Sequence, residues 1–158
     1  MYAAGTGPTA PPTTAPPTTP PAGGNLAQGR PVSDTGHSQG YVAGHVTDGS
    51  AATYWESSDN AFPQSLTVDL GAQRTVGRLV LTLPAAWGTR TQTLSVLGSA
   101  DNSTWSTLKA SAGYAFVEGA NTVTVPLTPT GTHYLRLSFT ANSGWPAGQL
   151  SELEVYAP

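Results

Sequence analysis

The amino-acid sequence predicts an all-β protein, an antiparallel β-sandwich of two packed sheets. Short runs of alternating apolar and polar residues recur along most of the chain, and this period of two is typical of strands that bury one face. Glycine, proline, asparagine and aspartate lie between the runs and favour turns. The apolar residues do not recur at helical spacing. Many short strands separated by turn residues therefore indicate a sandwich or a barrel.

The individual strands are predicted from their alternating apolar positions. The first run is Leu66, Val68 and Leu70, which ends at Gly71, and the second is Leu79, Leu81 and Leu83, which ends at Pro84. The third is Leu94 and Val96, before the turn SADNS. The fourth is Val123, Val125 and Leu127, after Gly119 and Asn121. The closing strands carry Leu135, Leu137 and Phe139, then Leu153 and Val155. The loop between them, TANSGWPAGQ, holds a tryptophan on a backbone shaped by glycine and proline. We expect functional residues in such loops.

The first 24 residues are predicted to be a disordered linker. Residues 5–24 read GTGPTAPPTTAPPTTPPAGG and contain no side chain larger than threonine or proline. Such a segment cannot bury enough apolar surface to offset the entropy of ordering it. A proline-rich chain favours polyproline II, so about 20 residues can separate two bodies by up to ~60 Å. We therefore expect a spacer over residues 1–24, one domain over residues 25–158, and a further domain normally upstream.

The composition excludes two classes of protein. A net charge of -3, with 9% charged residues, argues against a nucleic-acid binder, which needs a basic face. Membrane insertion is not expected, because no run approaches ~18 consecutive apolar residues. Low charge, abundant threonine, serine and glycine, and a Pro/Thr linker are typical of exported bacterial proteins, so we expect a secreted monomer.

Seven segments in a fixed order resemble discoidin domains, also called coagulation factor five/eight type C domains. They are NLAQGRPVSD, HVTDGSAATYW, FPQSLTVDLG, VGRLVLTLP, LSVLGSADNSTW, HYLRLSFTAN and GQLSELEVYAP. The sequence is most similar to the bacterial branch, the family 32 carbohydrate-binding modules, and the resemblance extends from Asn25 to Pro158. It implies an eight-stranded jelly-roll β-sandwich, with the termini at one end and ligand-binding loops at the other.

The resemblance also implies a structural calcium ion. The residues at the matching positions are Asp48, Thr53 and Glu152, and hard oxygen ligands from two distant segments suit Ca²⁺. Many relatives have Asp or Asn where this chain has Ser50, which offers only a hydroxyl or carbonyl oxygen. The alternative is that Asp48 serves only as a turn residue before a glycine.

Sugar binding requires an aromatic face to stack on a pyranose ring. Trp87 and Trp145 lie in loops beside glycine or proline and are the candidates, the alternative being that they cap the end of the sandwich. Trp55 matches a position that is usually in the core, and we expect Trp105 to have a packing or surface role. The three histidines lack the spacing of metal ligands.

Polar groups to bind sugar hydroxyls are expected in the same loops. Arg90 follows Trp87 by three residues, and Asn142 precedes Trp145 by three. Galactose-binding relatives often have a histidine where this chain has Glu56, and the chain continues with Asp59 and Asn60. These carboxylates accept hydrogen bonds from hydroxyls and pair with amines, which favours glucans or amino-sugar polymers over terminal galactose. The alternative is that Glu56 and Asp59 lie in a solvated loop.

We therefore expect a non-catalytic carbohydrate-binding module that targets a linked secreted glycoside hydrolase to a glucan or amino-sugar polymer. Two alternatives stay open: an adhesion or protein-binding discoidin domain, and a galactoside-binding lectin-like module. A glycosidase that uses Glu56 and Asp59 as its paired carboxylates is disfavoured, because the loops are short and the sequence has no nucleophile elbow, phosphate-binding loop or zinc signature. No catalytic residue is predicted.

Overall fold

The computed structural model describes residues 24–158, so the predicted linker lies outside the described residues except for Gly24. The strands are β1 (Val32–Asp34), β2 (Trp55–Glu56), β3 (Gln64–Thr82), β4 (Arg90–Ser99), β5 (Ser106–Phe116), β6 (Thr122–Asn142), β7 (Gln149–Leu150) and β8 (Glu152–Tyr156). A short 3-10 helix spans Ala43–Thr47. Among the described residues, no helix has the length and apolar character needed to cross a membrane.

All strand pairs are antiparallel, as predicted. The main sheet has the order β1-β3-β6-β4-β5, and β8 pairs with the second half of β3. The short strands β2 and β7 form a separate pair, in which Trp55 lies opposite Leu150 and Glu56 opposite Gln149. This small pair lies beside the functional loops and fixes the position of Glu56.

Strand β3 folds back on itself and so belongs to both layers of the sandwich. A straight strand of its 19 residues would span about 60 Å. Its ends nevertheless lie close together. At one end, Gln64 pairs with Phe139, and Gly148 packs against Phe139. At the other end, the Thr82 carbonyl accepts a hydrogen bond of 2.8 Å from the Ser151 amide. Because Gly148 and Ser151 are only three residues apart, the two ends of β3 are near each other.

The fold-back occurs where the pairing of β3 with β6 is irregular. One register shift lies between Asp69 and Arg74, and a second between Val76 and Arg78. Gly71 lies in the first with φ +84°, a conformation that glycine adopts without strain. The sequence analysis places the end of a strand at Gly71. In the structure the strand continues through it, because a bulge lets the chain bend without breaking the ladder.

The predicted alternation of buried residues is confirmed on the long strands. On β3 the buried positions are Leu66, Val68, Leu70, Val76, Leu79 and Leu81. The buried positions have even numbers up to Val76 and odd numbers from Leu79 onward. The change occurs at the register shift between Val76 and Arg78, because one extra residue in a strand reverses which residues face the core. Strand β5 is absent from the sequence prediction, although its second half alternates between half-buried and exposed residues. Leu108, Tyr114 and Phe116 lie against the core, but only Phe116 is fully buried, because β5 is at the edge of the sheet.

Trp55 belongs to the core, as the sequence analysis predicts. Its side chain is completely buried, and its ring lies 5.5 Å from that of Phe139 between centroids. Its Nε1 donates a hydrogen bond of 3.2 Å to Asp34 Oδ2, so the one polar atom of the indole has a partner. Burial of so large an aromatic surface makes this residue a main contributor to the stability of the domain.

Residues 25–26 and the last strand lie side by side. The Leu26 amide donates to the Val155 carbonyl (2.7 Å), and the Val155 amide donates to Asn25 Oδ1 (2.9 Å). Pro158 lies against Gly77, close to the bend in β3. The loops described next are at the other end of the sandwich, where the two ends of β3 meet.

Candidate functional site

A cleft of about 660 Å³ opens at the end of the sandwich where β3 ends and β4 begins. Its lining comes from four separate segments of the chain, and these residues are Ser38, Gln39, Tyr41, Tyr54, Glu56, Asp59, Trp87, Gly88, Arg90, Trp145 and Gln149. The lining combines aromatic rings with a few polar and charged groups. This combination is typical of sites that bind small polar ligands.

An aromatic wall forms one side of the cleft. The rings of Tyr41 and Tyr54 are stacked with centroids 4.6 Å apart, and Trp87 meets Tyr54 edge-on at the same distance and 75°. Burial, the nearby Tyr41 hydroxyl and the charge of Glu56 raise the pKa of Tyr54 to about 12. The Tyr54 hydroxyl therefore stays protonated at neutral pH and can donate a hydrogen bond.

Trp145 lines the same cleft and is 47% exposed. An indole so open to solvent contributes little to the core of this domain. Its loop is tied to the opposite side of the cleft, because the Asn60 amide donates to the Pro146 carbonyl at 2.7 Å. The cleft thus has one packed aromatic wall and one exposed aromatic residue.

A chain of hydrogen bonds fixes the polar floor. Arg90 Nη1 donates to Gln149 Oε1 (2.7 Å), and Gln149 Nε2 donates to Glu56 Oε1 (3.0 Å). Asn142 Nδ2 donates to the same oxygen of Gln149 (3.1 Å), so that oxygen has two donors and the amide cannot flip without losing both. Burial lowers the pKa of Arg90, which remains a cation at neutral pH.

The backbone beneath this floor is equally constrained. Gln92 is completely buried, and its side-chain amide bonds to both the amide (2.9 Å) and the carbonyl (2.8 Å) of Gln149. The Arg90 guanidinium lies 5.0 Å from the centroid of the Trp87 ring, and its Nε donates to the Gly88 carbonyl (3.0 Å). The floor is therefore already arranged before any ligand binds.

Glu56 is a buried carboxylate without a cationic partner. The residue is only 8% exposed, yet it lines the cleft. Within residues 24–158 the only ion pairs join His37 to Asp34 and His133 to Asp69. The Glu56 charge is therefore met by the amide of Gln149 rather than by a cation. A buried anion in this situation gains energy from a cation that enters the cleft.

The structure brings together five of the seven residues predicted to bind sugar, namely Trp87, Arg90, Glu56, Asp59 and Trp145. Asn142 and Asn60 do not line the cleft. The Asn142 side chain is directed at Gln149 and the Ala147 carbonyl (2.9 Å), and Asn60 is an exposed turn residue with φ +59°. Both support the site from outside it. The alternative of a solvated loop does not fit the burial of Glu56, whereas Asp59 is exposed.

Tyr54 and Gln149 belong to the cleft and are absent from the sequence prediction. The sequence position of Tyr54 could have indicated its role. The two neighbours of a buried strand residue face the side opposite to it. Because Trp55 is in the core, Tyr54 and Glu56 lie together on the other face. Gln149 ends the loop TANSGWPAGQ, in which functional residues are expected, but the sequence does not single it out as a site residue. Its role depends on Arg90 and Glu56, which are 59 and 93 residues away in the sequence.

The predicted calcium ligands form a separate cluster. Glu152 Oε1 accepts a hydrogen bond from the Gly49 amide (2.9 Å), and the Thr53 hydroxyl donates to Asp48 Oδ2. The Ser50 hydroxyl accepts from Ala52 in the same turn. Loop 48–53 and the start of β8 therefore meet as the resemblance implies.

The two carboxylates of this cluster influence each other. Burial and the neighbouring Asp48 raise the pKa of Glu152 to about 8. Burial opposes ionisation of Asp48, but hydrogen bonds from Thr53 and Ser50 outweigh it and lower the pKa of Asp48. Two carboxylates and a hydroxyl are oxygen donors that fit a hard divalent cation, which would relieve their repulsion. No group of three or more acidic or histidine side chains meets within the described residues, so further ligands would be carbonyl oxygens.

Comparisons with known proteins agree with this architecture. The family model of NedA-like, galactose-binding domains, of the F5/F8 type C group, matches residues 45–137, more than half of the chain. No curated protein matches the sequence.

The most similar solved structures include carbohydrate-binding modules. Chitosan-binding module 1 of a chitosanase/glucanase from Paenibacillus sp. IK-5 is 26% identical with a TM-score of 0.70, over 84% of this chain and 98% of that one. Module 2 of the same enzyme, in complex with chitotriose, is 24% identical with a TM-score of 0.68, over 84% and 100%. The family 32 module of NanJ from C. perfringens, in complex with galactose, is 22% identical with a TM-score of 0.72, over 84% and 98%.

The antiparallel sandwich, the cleft among its loops and the match over residues 45–137 are consistent with one another. The protein therefore belongs to the family of NedA-like, galactose-binding domains of the F5/F8 type C group, and it resembles the family 32 carbohydrate-binding modules.

Proposed function

We propose that this domain is a carbohydrate-binding module whose cleft binds an amino-sugar polymer, with a glucosamine unit of chitosan as the best fit. The observation that carries the proposal is Glu56, a buried carboxylate on the cleft floor with no cationic partner among residues 24–158. A protonated amine is the one group of a common neutral or basic sugar that would supply the missing charge.

The remaining groups of the cleft favour the same ligand. Asp59 adds a second negative charge at the rim. Arg90 is the cation of the cleft, but its Nε and Nη1 already donate to Gly88 and Gln149. The cleft therefore has two carboxylates and one guanidinium, and the guanidinium already donates hydrogen bonds within the protein. This balance of charge disfavours the binding of a polyanionic glycan. A neutral glucan would form only hydrogen bonds and would leave the Glu56 charge without a counter-ion.

The aromatic residues supply the second element of recognition. The apolar face of a pyranose ring would stack on the wall formed by Trp87 and Tyr54, and Trp145 lines the same cleft. One or two stacked rings and a few hydrogen bonds exposed to solvent correspond to affinities of about micromolar to millimolar. The chitosan-binding modules of Paenibacillus sp. IK-5, at 26% and 24% identity, are in line with this ligand class.

The biological role proposed here is targeting rather than catalysis. A module of this kind holds a covalently linked, secreted glycoside hydrolase near its polymer and so raises the effective substrate concentration. The Pro/Thr-rich segment of residues 1–24 would act as the spacer. The domain would act as a monomer, since one cleft provides the whole binding site.

We also propose that Asp48, Thr53 and Glu152 hold a structural calcium ion, with carbonyl oxygens of the same loop completing its ligands. The donor set and the proximity of the two carboxylates support this assignment. The ion would join loop 48–53 to β8 and would take no part in contacting the sugar. Ser50 would contribute its hydroxyl or its carbonyl oxygen, each of which accepts one hydrogen bond within the loop and keeps a free lone pair.

The test is isothermal titration calorimetry with chitotriose, N-acetylated chitotriose, β-1,3-glucan oligomers, galactose and alginate oligomers. We expect wild type to bind chitotriose, and Glu56→Gln, which keeps the shape and removes the charge, to weaken it about tenfold or more, a typical effect of a charged hydrogen-bond partner. Affinity should also fall as salt rises, because screening weakens the ammonium–carboxylate attraction.

Trp105→Ala provides the matched control. Trp105 lies outside the cleft, with the Arg136 guanidinium 3.9 Å from its ring centroid, so its loss should leave affinity unchanged. Equal affinity for the acetylated oligomer, or an unchanged affinity of Glu56→Gln, would refute recognition of the amine. Binding to galactose instead would favour the galactoside-binding alternative, and no binding to any glycan would favour a protein partner.

A further inference from the structure

We infer that Asn121, which lies outside the cleft, is a positioning residue that sets the orientation of Trp87 for ligand binding. The inference rests on the proposed function, since it assigns a role to Trp87 in holding the ligand. Asn121 belongs to the loop between β5 and β6, whereas Trp87 belongs to the loop between β3 and β4. The contacts between these two loops carry the inference.

The side-chain amide of Asn121 is bound to the loop that carries Trp87. Its Nδ2 lies within hydrogen-bond distance of three carbonyl oxygens, those of Pro84 (2.9 Å), Ala85 (3.3 Å) and Trp87 itself (2.8 Å). One NH₂ group thus binds three carbonyls of a single turn, which the hydrogen bond from the Trp87 amide to the Pro84 carbonyl (3.0 Å) closes. Asn121 is 0% exposed, so it reaches the ligand only through the residues it holds.

The backbone of Asn121 has a conformation that few residues adopt. Its φ is +49°, in the left-handed region that asparagine and glycine tolerate best. Its amide donates to the Val117 carbonyl (2.7 Å), and its carbonyl accepts from the Leu83 amide (2.9 Å). The residue is thereby anchored to both loops by its main chain as well as its side chain.

Only one orientation of the Asn121 amide fits its surroundings. Rotation by 180° would place Oδ1 against three carbonyl oxygens. In the observed orientation Oδ1 is buried and accepts no hydrogen bond from the described residues. An unsatisfied buried acceptor has an energetic cost, and here the three contacts of Nδ2 offset it. The amide is therefore used as a donor to the Trp87 loop and for nothing else.

The loop needs such support, because Trp87 is only partly buried. Its ring rests on the edge of Tyr54 and beneath the Arg90 guanidinium, and Gly88 directly follows it. A flexible residue next to the indole allows the ring to leave the aromatic wall unless the backbone is fixed. The backbone of the turn is held by the Trp87 amide, which donates to the Pro84 carbonyl (3.0 Å), and by the Gly119 amide, which donates to the Ala85 carbonyl (2.9 Å). Asn121 is the side chain that binds the carbonyl of Trp87 itself.

A further contact between the same two loops supplies a variant that leaves the Asn121 amide in place. The Glu118 amide donates to the Thr89 hydroxyl at 2.9 Å, and Thr89 is exposed and outside the cleft. Thr89→Val removes this acceptor and loosens the junction by a smaller amount than loss of the Asn121 amide.

The experiment compares wild type with Asn121→Gly, which keeps the left-handed backbone and removes the amide. Two quantities are measured: chitotriose affinity by calorimetry, and the nuclear Overhauser contacts between the Trp87 and Tyr54 rings in ligand-free protein. We expect affinity to fall about threefold to tenfold, the worth of one aromatic stacking contact, and the inter-ring contacts to be lost. In a Trp87→Ala background Asn121→Gly should have no further effect.

Thr132→Val controls for general loss of stability. Thr132 is buried and hydrogen-bonded to Ser99 away from the cleft, so this variant should lower the unfolding midpoint without changing affinity or the ring contacts. Wild-type affinity and intact ring contacts in Asn121→Gly would overturn the inference. An equal loss of affinity in the Trp87→Ala background would overturn it too, since the amide would then act elsewhere.

Failure of the proposed function gives a different result. If wild type bound no glycan, the ring contacts in ligand-free protein would still decide whether Asn121 positions Trp87. If Asn121→Gly did not fold, Asn121→Asp would take its place, since aspartate also tolerates the left-handed backbone but has an oxygen where Nδ2 donates. Thr89→Val, which keeps the amide, would serve as its control. Loss of the ring contacts in Asn121→Asp but not in Thr89→Val would support the inference, and unchanged contacts in Asn121→Asp would overturn it.

Discussion

Gly148 marks the place where the cleft loop touches the core. A Cβ atom there would lie 3.1 Å from Phe139 Cγ and 3.1 Å from Trp55 Cζ3. The Gly148 amide also donates to Ser57 Oγ at 2.8 Å. A side chain at this position would therefore press on two large buried rings, neither of which has room to move.

We expect Gly148→Ala to lower the free energy of unfolding by about 1–3 kcal/mol, because an added methyl overpacks the core at this point. Urea denaturation measures the change. Gly40→Ala is the control, since a Cβ at Gly40 would meet no atom within 4 Å, and it should leave stability nearly unchanged. Equal stability of both variants would mean that the loop shifts to accommodate the methyl group.

At the scale of the structural elements, loop 48–53 and strand β8 are joined by side chains far apart in the sequence. The Gly49 amide and Glu152 are 103 residues apart and form a hydrogen bond of 2.9 Å. The same loop precedes β2, which carries Glu56, so a cation at this junction would fix the segment that leads into the cleft.

Calcium is expected to raise the thermal midpoint of unfolding of the wild-type domain. An ion that binds only the folded state adds about 2.7 kcal/mol at a hundred times its dissociation constant. Differential scanning calorimetry with calcium and with a chelator measures this. Asp48→Asn should abolish the response, whereas Asp101→Asn, which changes an acid in the turn after β4, should retain it. A wild-type midpoint indifferent to calcium would exclude the site.

At the scale of the whole molecule, the first described residues and the cleft lie at opposite ends of the sandwich. Asn25 Oδ1 accepts hydrogen bonds from the amides of Ala27 and Val155, both at 2.9 Å, and so closes the first described residues against β8. The cleft lies at the other end, where the loops after β3 and β6 meet.

Asn25→Ala is therefore expected to lower stability by about 1–2 kcal/mol, since it leaves two backbone amides without their acceptor, and to leave chitotriose affinity unchanged. Denaturation and calorimetry on the same protein separate the two effects. A parallel loss of affinity would mean that the two ends of the sandwich are coupled through the long strands.

Much of the fold was predictable because alternation is a local property. The buried leucines and valines of β3, β4, β6 and β8 repeat every second residue, and each run can be interpreted without knowledge of its partner. The bend of β3 at Gly71 was not predictable, because it depends on the shift in pairing with β6. Strand β5 escaped prediction because its alternation is weak: only Phe116 is fully buried, and small alanines lie between Leu108 and Tyr114.

For the candidate site, the sequence by itself determined which kinds of residue are available: Trp87 and Trp145 in glycine- and proline-bearing loops, with Arg90, Glu56 and Asp59 nearby. Only the tertiary structure decided that Glu56 is buried, that Gln149 links it to Arg90, and that Asn121 holds the Trp87 loop. The physical reason is that burial and hydrogen bonding depend on distances between atoms, and folding brings together groups that are up to 93 residues apart in the chain.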